Sequence, residues 1–168
     1  MSDQILEINR LDFEALARQI LAENKSIRFR ARGSSMRPFI KDGDILLVEP
    51  VREHRIRVGD IVLFGDRKGA VLAHRVIRIE QSDGGTQFLV SGDANRATDG
   101  LIPLEHVLGR VVSLERKGHR KNINHPFMRL TSLVWVKLSA IIKPVFFYLA
   151  GTKLYQTIRQ HPREDAGD

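Results

Sequence analysis

The sequence predicts a mainly β domain with a helix ahead of it and apolar helices behind it. Three observations carry this. From Ser26 to about Arg116, apolar residues fall in short runs, several of them alternating with a period of two. Gly-Asp pairs punctuate the runs at Gly43–Asp44, Gly59–Asp60 and Gly92–Asp93, where turns are expected. On either side, in residues 1–25 and 126–160, the apolar spacing changes to three and four. The expected divisions are an N-terminal helix over 1–25, a β domain over 26–116 and a basic linker over 117–125. Amphipathic or apolar helices follow over 126–160, then a disordered polar tail over 161–168.

In "LDFEALARQILAENK", Phe13, Leu16, Ala17, Ile20 and Leu21 share one helical face, and Asp12 is placed to cap its start. In "SIRFRARG", Ile27, Phe29 and Ala31 alternate with arginines. "DILLVEPV" and "DIVLF" are apolar runs, each entered through Gly-Asp. "AVLAHRVIRIE" alternates towards its end, "TQFLVSGDAN" runs into a turn, and "VLGRVVSLE" closes the series. Short strands with such turns suit a folded-over barrel or sandwich.

The chain has 168 residues, enough for one domain with a core and an extension. It has no cysteine, which excludes disulfides and thiolate metal sites. The net charge of +7 suits anionic partners in general or a solvated basic surface. Much of the excess lies in Arg28, Arg30 and Arg32, and in Arg116, Lys117, Arg120 and Lys121. The second group has no interleaved aromatic residues for base stacking, so no nucleic-acid partner is expected. His119 and His125 flank a basic stretch with nothing to complete a metal site, so no metal or other cofactor is expected.

The apolar region after Pro126 is long enough to span a bilayer. However, Arg129, Lys137 and Lys143 lie within it, each costing about 2.5–3.5 kcal/mol near a bilayer centre. Two helices, with Pro126 and Pro144 near their first turns, fit better. The first has Arg129, Ser132, Ser139 and Lys143 on one stripe and Phe127, Leu130, Val134, Leu138 and Ile141 opposite, with Trp135 at the side. That pattern suits a helix lying in a membrane interface. A helix docked on this protein's own β domain or on a second copy fits it too.

One stretch holds a possible nucleophile: "GSSMRPFIKDGD", Gly33 to Asp44. A serine hydroxyl reacts only when a base takes its proton. The β domain offers three histidines. His54 lies in a charged turn and His106 near an edge or turn. His74 lies inside the run "VLAHRVIRI" among mostly apolar residues. An imidazole, ordinarily with a pKa of about 6.5, is suited to taking the serine proton and returning it to a leaving amine. On spacing alone a strand histidine is more readily a solvent-facing or hydrogen-bonded residue than a catalytic base. Asp93 and Asp99, in "SGDANRATDG", are carboxylates that could orient an imidazole or cap turns.

Taken together, "GSSMRP", "DGDILLV", "VGDIVLF", "AHRVIRI", "VSGDANRATD" and "VLGRVV" resemble, in order, the signal peptidase I family in its serine–histidine branch, which includes archaeal and endoplasmic reticulum enzymes. The resemblance covers about residues 29–112. It implies a signal-peptidase-like folded β domain and a serine endopeptidase acting on a peptide or preprotein after small residues. It further implies Ser35 as nucleophile, His74 as base and Asp99 as the third member, with Asp93 structural beside them. The oxyanion would be received by the Ser35 N–H and a group near Gly33 or Ser34, and Met36 would floor a shallow pocket. Some relatives carry a serine where this chain has Gly33. Members usually have a membrane helix directly before the catalytic strand, where this chain has a charged helix. The apolar region 126–160 is therefore the expected attachment, and the chain is expected to be membrane-associated, with a cytoplasmic location as the other reading. Two other functional readings are kept. One is an intracellular module similar to the self-cleaving repressor proteases, which share the fold but use lysine as base. The other is a non-catalytic peptide-binding relative.

Overall fold

The computed structural model describes residues 10–51, 56–66, 69–123, 131, 134, 135, 137 and 138. Helix α1 (Arg10–Ala22) precedes eight strands: β1 (Ile27–Arg30), β2 (Ile45–Pro50), β3 (Ile61–Gly65), β4 (Val71–Ser82), β5 (Gly85–Ser91), β6 (Gly100–Pro103), β7 (Val107–Arg116) and β8 (His119–Asn122). They form one antiparallel sheet in the order β1-β2-β7-β3-β4-β5-β6, with β8 paired to β7. The long β7 makes the sheet curl. One of its edges pairs with β2 from Gly109 to Glu115, and the other pairs first with β3 and then with β8.

The alternation that predicts the strands also sorts the core. On β3, Ile61 and Leu63 join a cluster with Leu46, Val48, Val111, Leu114, Met36 and Ile40, while Val62 and Phe64 join Val76, Phe88, Val90 and Val107 on the other face. Burying such side chains contributes roughly 1.5–3 kcal/mol each. The sheet is thus covered on both faces at its centre, and β3 is buried throughout.

Helix α1 closes the first cluster with Ala17 and Leu21, flanked by Phe13 and Ile20. The Phe13 ring meets Phe29 edge-on at 5.1 Å. Leu16, expected on the same face, is 39% exposed at its border. In α1 as described, from Arg10, Asp12 lies in the first turn, where a carboxylate favours the positive end of the helix dipole. Gly109 lets the helix approach: a Cβ there would lie 2.5 Å from Val48 Cγ1, 2.8 Å from Glu49 O and 3.1 Å from Leu21 Cδ1.

The structure corrects the expected linker over 117–125. Residues 119–122 form β8, closed on β7 through Lys117 and Gly118, both at positive φ, the conformation of a two-residue hairpin turn. Strand β6 was likewise absent from the sequence reading. Both basic groups are partly engaged by carboxylates: Arg28 pairs with Glu115 at the surface, and Arg116 with the buried Asp44. The tail 161–168, His54, His125 and most of 126–160 fall outside the described residues. Within that last region Trp135 packs edge-on against Phe39, with ring centroids 5.5 Å apart. Phe39, Thr131, Val134, Trp135 and Leu138 line a shallow apolar groove there. No helix among the described residues is long and apolar enough to cross a membrane.

Candidate active site

Ser35 sits in the long connection between β1 and β2. That connection leaves β1 as "ARGSSMRP" and turns at once, with Arg37 N–H donating to Ser34 O and Ile40 N–H to Met36 O. Met36 and Ile40, 5% and 4% exposed, anchor the turn in the first core cluster. Met36 therefore supports Ser35 from beneath. At the turn's entrance Gly33 has φ of +99°, a backbone state that a residue with a Cβ adopts at a cost. Its N–H donates to Asp42 Oδ1 at 2.8 Å. This bears on the expectation of an oxyanion donor near Gly33, because that N–H is already engaged. No described residue accepts a hydrogen bond from the Ser34 or Ser35 N–H.

His74 lies in β4, opposite Val62 of β3. It is 3% exposed, and its ring meets the Phe64 ring at 6.1 Å. Asp99 ends the loop after β5, its N–H donating to Val90 O at 3.0 Å just before β6 begins. Three separate segments therefore converge. His74 Nδ1 is 2.7 Å from Asp99 Oδ2, and His74 Nε2 is 2.9 Å from Ser35 Oγ. A carboxylate only accepts, so the Nδ1 proton points at Asp99. In the neutral ring Nε2 then carries the lone pair and accepts from the Ser35 hydroxyl. The His74 side chain is 4% exposed and that of Asp99 21% exposed, so the relay is shielded at the imidazole and open on the carboxylate side.

Asp93, expected to be structural, is 4% exposed and takes a two-pronged ion pair from Arg75: Nε to Oδ1 at 2.8 Å and Nη2 to Oδ2 at 2.7 Å. Arg75 also donates from Nη1 to Gly59 O at 2.8 Å, and its guanidinium carbon lies 4.9 Å from the centroid of the Phe39 ring. This arginine, 1% exposed, is the main site-building residue the sequence reading missed. A buried ion pair adds little net stability, but loss of one member leaves a bare charge costing about 3–5 kcal/mol. Consecutive burial of His74, Arg75 and Val76 erases any period-two signal that could have marked it.

The turn carrying Asp93 also touches the serine directly. Ala94 N–H donates to Ser35 O at 2.7 Å. Gly92 permits this approach: a Cβ there would lie 2.7 Å from Ser35 O and 2.7 Å from Asn95 Nδ2. The other described histidines stand apart from this relay. His106 is exposed in a short turn of 3₁₀ helix, and His119 is exposed on β8.

A serine, a buried imidazole and a carboxylate aligned in one relay are the parts of a peptidase site, and residues 3–112 match the Peptidase S24-like family. The chain belongs to that family. Signal peptidase complex catalytic subunits SEC11C of Homo sapiens, Mus musculus and Canis lupus familiaris are each 39% identical to this S24-like chain over 67 residues. The match takes in 39% of this chain and 35% of each relative, so the chain spans about a third of their length. The resemblance drawn from the motifs therefore stands, within the broader S24-like family.

Proposed function

We propose that this S24-like protein is a serine endopeptidase in which Ser35 is the nucleophile, His74 the general base and Asp99 the group that orients the imidazole. The observation that carries this is the continuous relay, 2.9 Å from hydroxyl to ring and 2.7 Å from ring to carboxylate. Such distances are those of working hydrogen bonds and suit proton transfer. Ser35 Oγ attacks the scissile carbonyl while its proton passes to His74 Nε2. The resulting imidazolium is stabilised by Asp99. The oxyanion accepts from the Ser35 N–H, which no described residue engages, a contribution on the order of 10²–10³ in rate for one such donor. His74 then protonates the leaving amine, and water repeats the sequence to release the acyl group.

The substrate class proposed is a preprotein cleaved after a small residue. It draws on the motif resemblance and on the likeness to proteins described as signal peptidase catalytic subunits. We further propose that residues 126–160 hold the protein at a membrane interface, on the strength of their amphipathic pattern. Histidine at position 74 favours this over the lysine-dependent self-cleaving reading, and an aligned relay favours it over a non-catalytic one.

The test is a comparison of cells carrying the wild-type protein with cells carrying Ser35→Ala. Proteomics should find uncut precursors accumulating in the variant, and the purified variant should keep its circular dichroism spectrum while losing peptide cleavage. A folded Ser35→Ala protein that still cleaves would sink the assignment. Fractionation of the same cells checks the membrane proposal, which fails if the protein stays entirely with the soluble fraction.

A further inference from the structure

The connection that carries Ser35 contains neither helix nor strand from Ala31 to Asp44, yet its hydroxyl must stay within hydrogen-bond reach of His74. Its two ends are tied to each other: Ala31 N–H to Asp44 O at 2.7 Å and Gly43 N–H to Ala31 O at 2.9 Å. Its front is held where Ser35 O accepts from Ala94. Its back, at Phe39, is met by two arginines from different strands. Arg75 of β4 covers the Phe39 ring. Arg116, at the end of β7, donates from Nη2 to Phe39 O at 2.9 Å. The same guanidinium grips Asp44 through Nε at 2.7 Å and Nη2 at 2.6 Å. No other described residue donates to Phe39 O.

Arg116 therefore bridges the far end of the serine turn and the base of its return arm. A planar guanidinium does this because its donors fan out at fixed angles, whereas a lysine ammonium offers the charge without that geometry. An ion pair made only for stability would require Asp44 alone. The added bond goes to a carbonyl four positions after Ser35, in the turn that Met36 and Ile40 anchor.

We propose that Arg116 is a positioning residue for Ser35, fixing the back of its turn through Phe39 O so that the hydroxyl stays aligned on His74. This rests on the peptidase reading above. Misplacement of a reacting group by about 1 Å costs up to about 10²-fold in rate, so loosening this tether acts on turnover more than on substrate affinity.

The experiment compares the full chain as wild type, Arg116→Lys, Asp44→Asn and, as the blank, Ser35→Ala. It reads thermal melting, backbone amide hydrogen exchange over residues 33–43, and Ser35-dependent turnover of a peptide with a small residue at the cleaved bond. Arg116→Lys is expected to melt cooperatively, to exchange faster over 33–43, and to lose roughly 10-fold or more in kcat with KM nearly unchanged. Asp44→Asn, which leaves Arg116 able to hold Phe39 O, should stay closer to wild type in both exchange and kcat. Wild-type exchange over 33–43 in Arg116→Lys overturns the inference. So does faster exchange with unaltered kcat, since the turn would then move without disturbing Ser35. If Arg116→Lys does not fold, the pair Asp44→Asn with Arg116→Gln removes both charges together and is read in the same way. A wild-type protein no more active than Ser35→Ala sinks the peptidase reading itself, and the exchange measurement still decides whether Arg116 tethers the turn.

Discussion

At the residue scale, the proposed chemistry depends on which nitrogen of His74 holds its proton. Asp99 sets this by accepting from Nδ1, which leaves Nε2 as the acceptor for Ser35. An asparagine at 99 could turn its amide N–H towards Nδ1 and reverse the tautomer, so that Nε2 no longer accepts. Asp99→Asn is therefore expected to lower kcat on the order of 10³–10⁴-fold with a near wild-type melting temperature, checked by peptide turnover and thermal melts. The sequence singles out Ser35, His74 and Asp99 as an expected site because each stands in a motif of the family it resembles. It gives Arg75 no role, since nothing in the spacing of His74-Arg75-Val76-Ile77 marks an inward-facing arginine. Only the three-dimensional arrangement shows Asp93, Gly59 O and Phe39 closing around it.

At the element scale, the site is a meeting of two loops backed by strands. The Gly92–Asn95 turn presses on the Ser35 turn through Ala94, and the close approach depends on position 92 having no side chain. The Asn95 amide could swing away from an added methyl group, but Ser35 O is backbone and must move with its turn. Gly92→Ala is expected to cost about 1–3 kcal/mol in stability and to depress turnover further than that loss explains. Urea unfolding alongside kinetics checks this, and wild-type kcat in the variant would contradict it. The strands with apolar alternation were legible in advance. Two were not. Strand β6 is four residues at a sheet edge, ending in Pro103. Strand β8, "HRKN", is exposed along its whole length, so it buries nothing that a hydrophobic pattern could reveal. Its sign was the Lys117–Gly118 turn, which closes a hairpin and does not open a linker.

At the scale of the whole molecule, β7 ties the halves together by charge as well as by its ladders. The Gly-Asp turns that open β2 and β3, on either side of it, each present a buried aspartate to one of its arginines: Asp44 to Arg116 at 2.6 Å and Asp60 to Arg110 at 3.5 Å. Burial pushes the Asp44 carboxyl up. The hydrogen bonds from Arg116 and the Lys41 N–H, with the charges of both residues, outweigh this and hold it below its ordinary value. The pairing raises the Arg116 guanidinium in turn. A depressed carboxylate stabilises the fold fully above its unfolded pKa, about 3.9, and loses that contribution as pH falls through the lower folded value. Asp44→Asn should therefore melt below wild type at pH 7, with the gap narrowing as pH drops below about 4. Thermal melts from pH 7 to pH 2 check this, and a gap that widens on acidification would contradict it.

The sequence by itself determined the β class, the α1 face that docks, most strand positions, and three residues of the right chemistry in a motif order. The class, the docking face and the strands follow from side-chain period and turn chemistry, whereas the three residues rest on the motif resemblance. The tertiary structure alone decided that Ser35, His74 and Asp99 meet. It also decided that Arg75 and Arg116 face inward, that Gly33 N–H is engaged by Asp42, and that Gly92 and Gly109 are points of close approach. Each of these depends on which distant segments the curled sheet brings side by side, and spacing along a chain carries no record of distance across a fold.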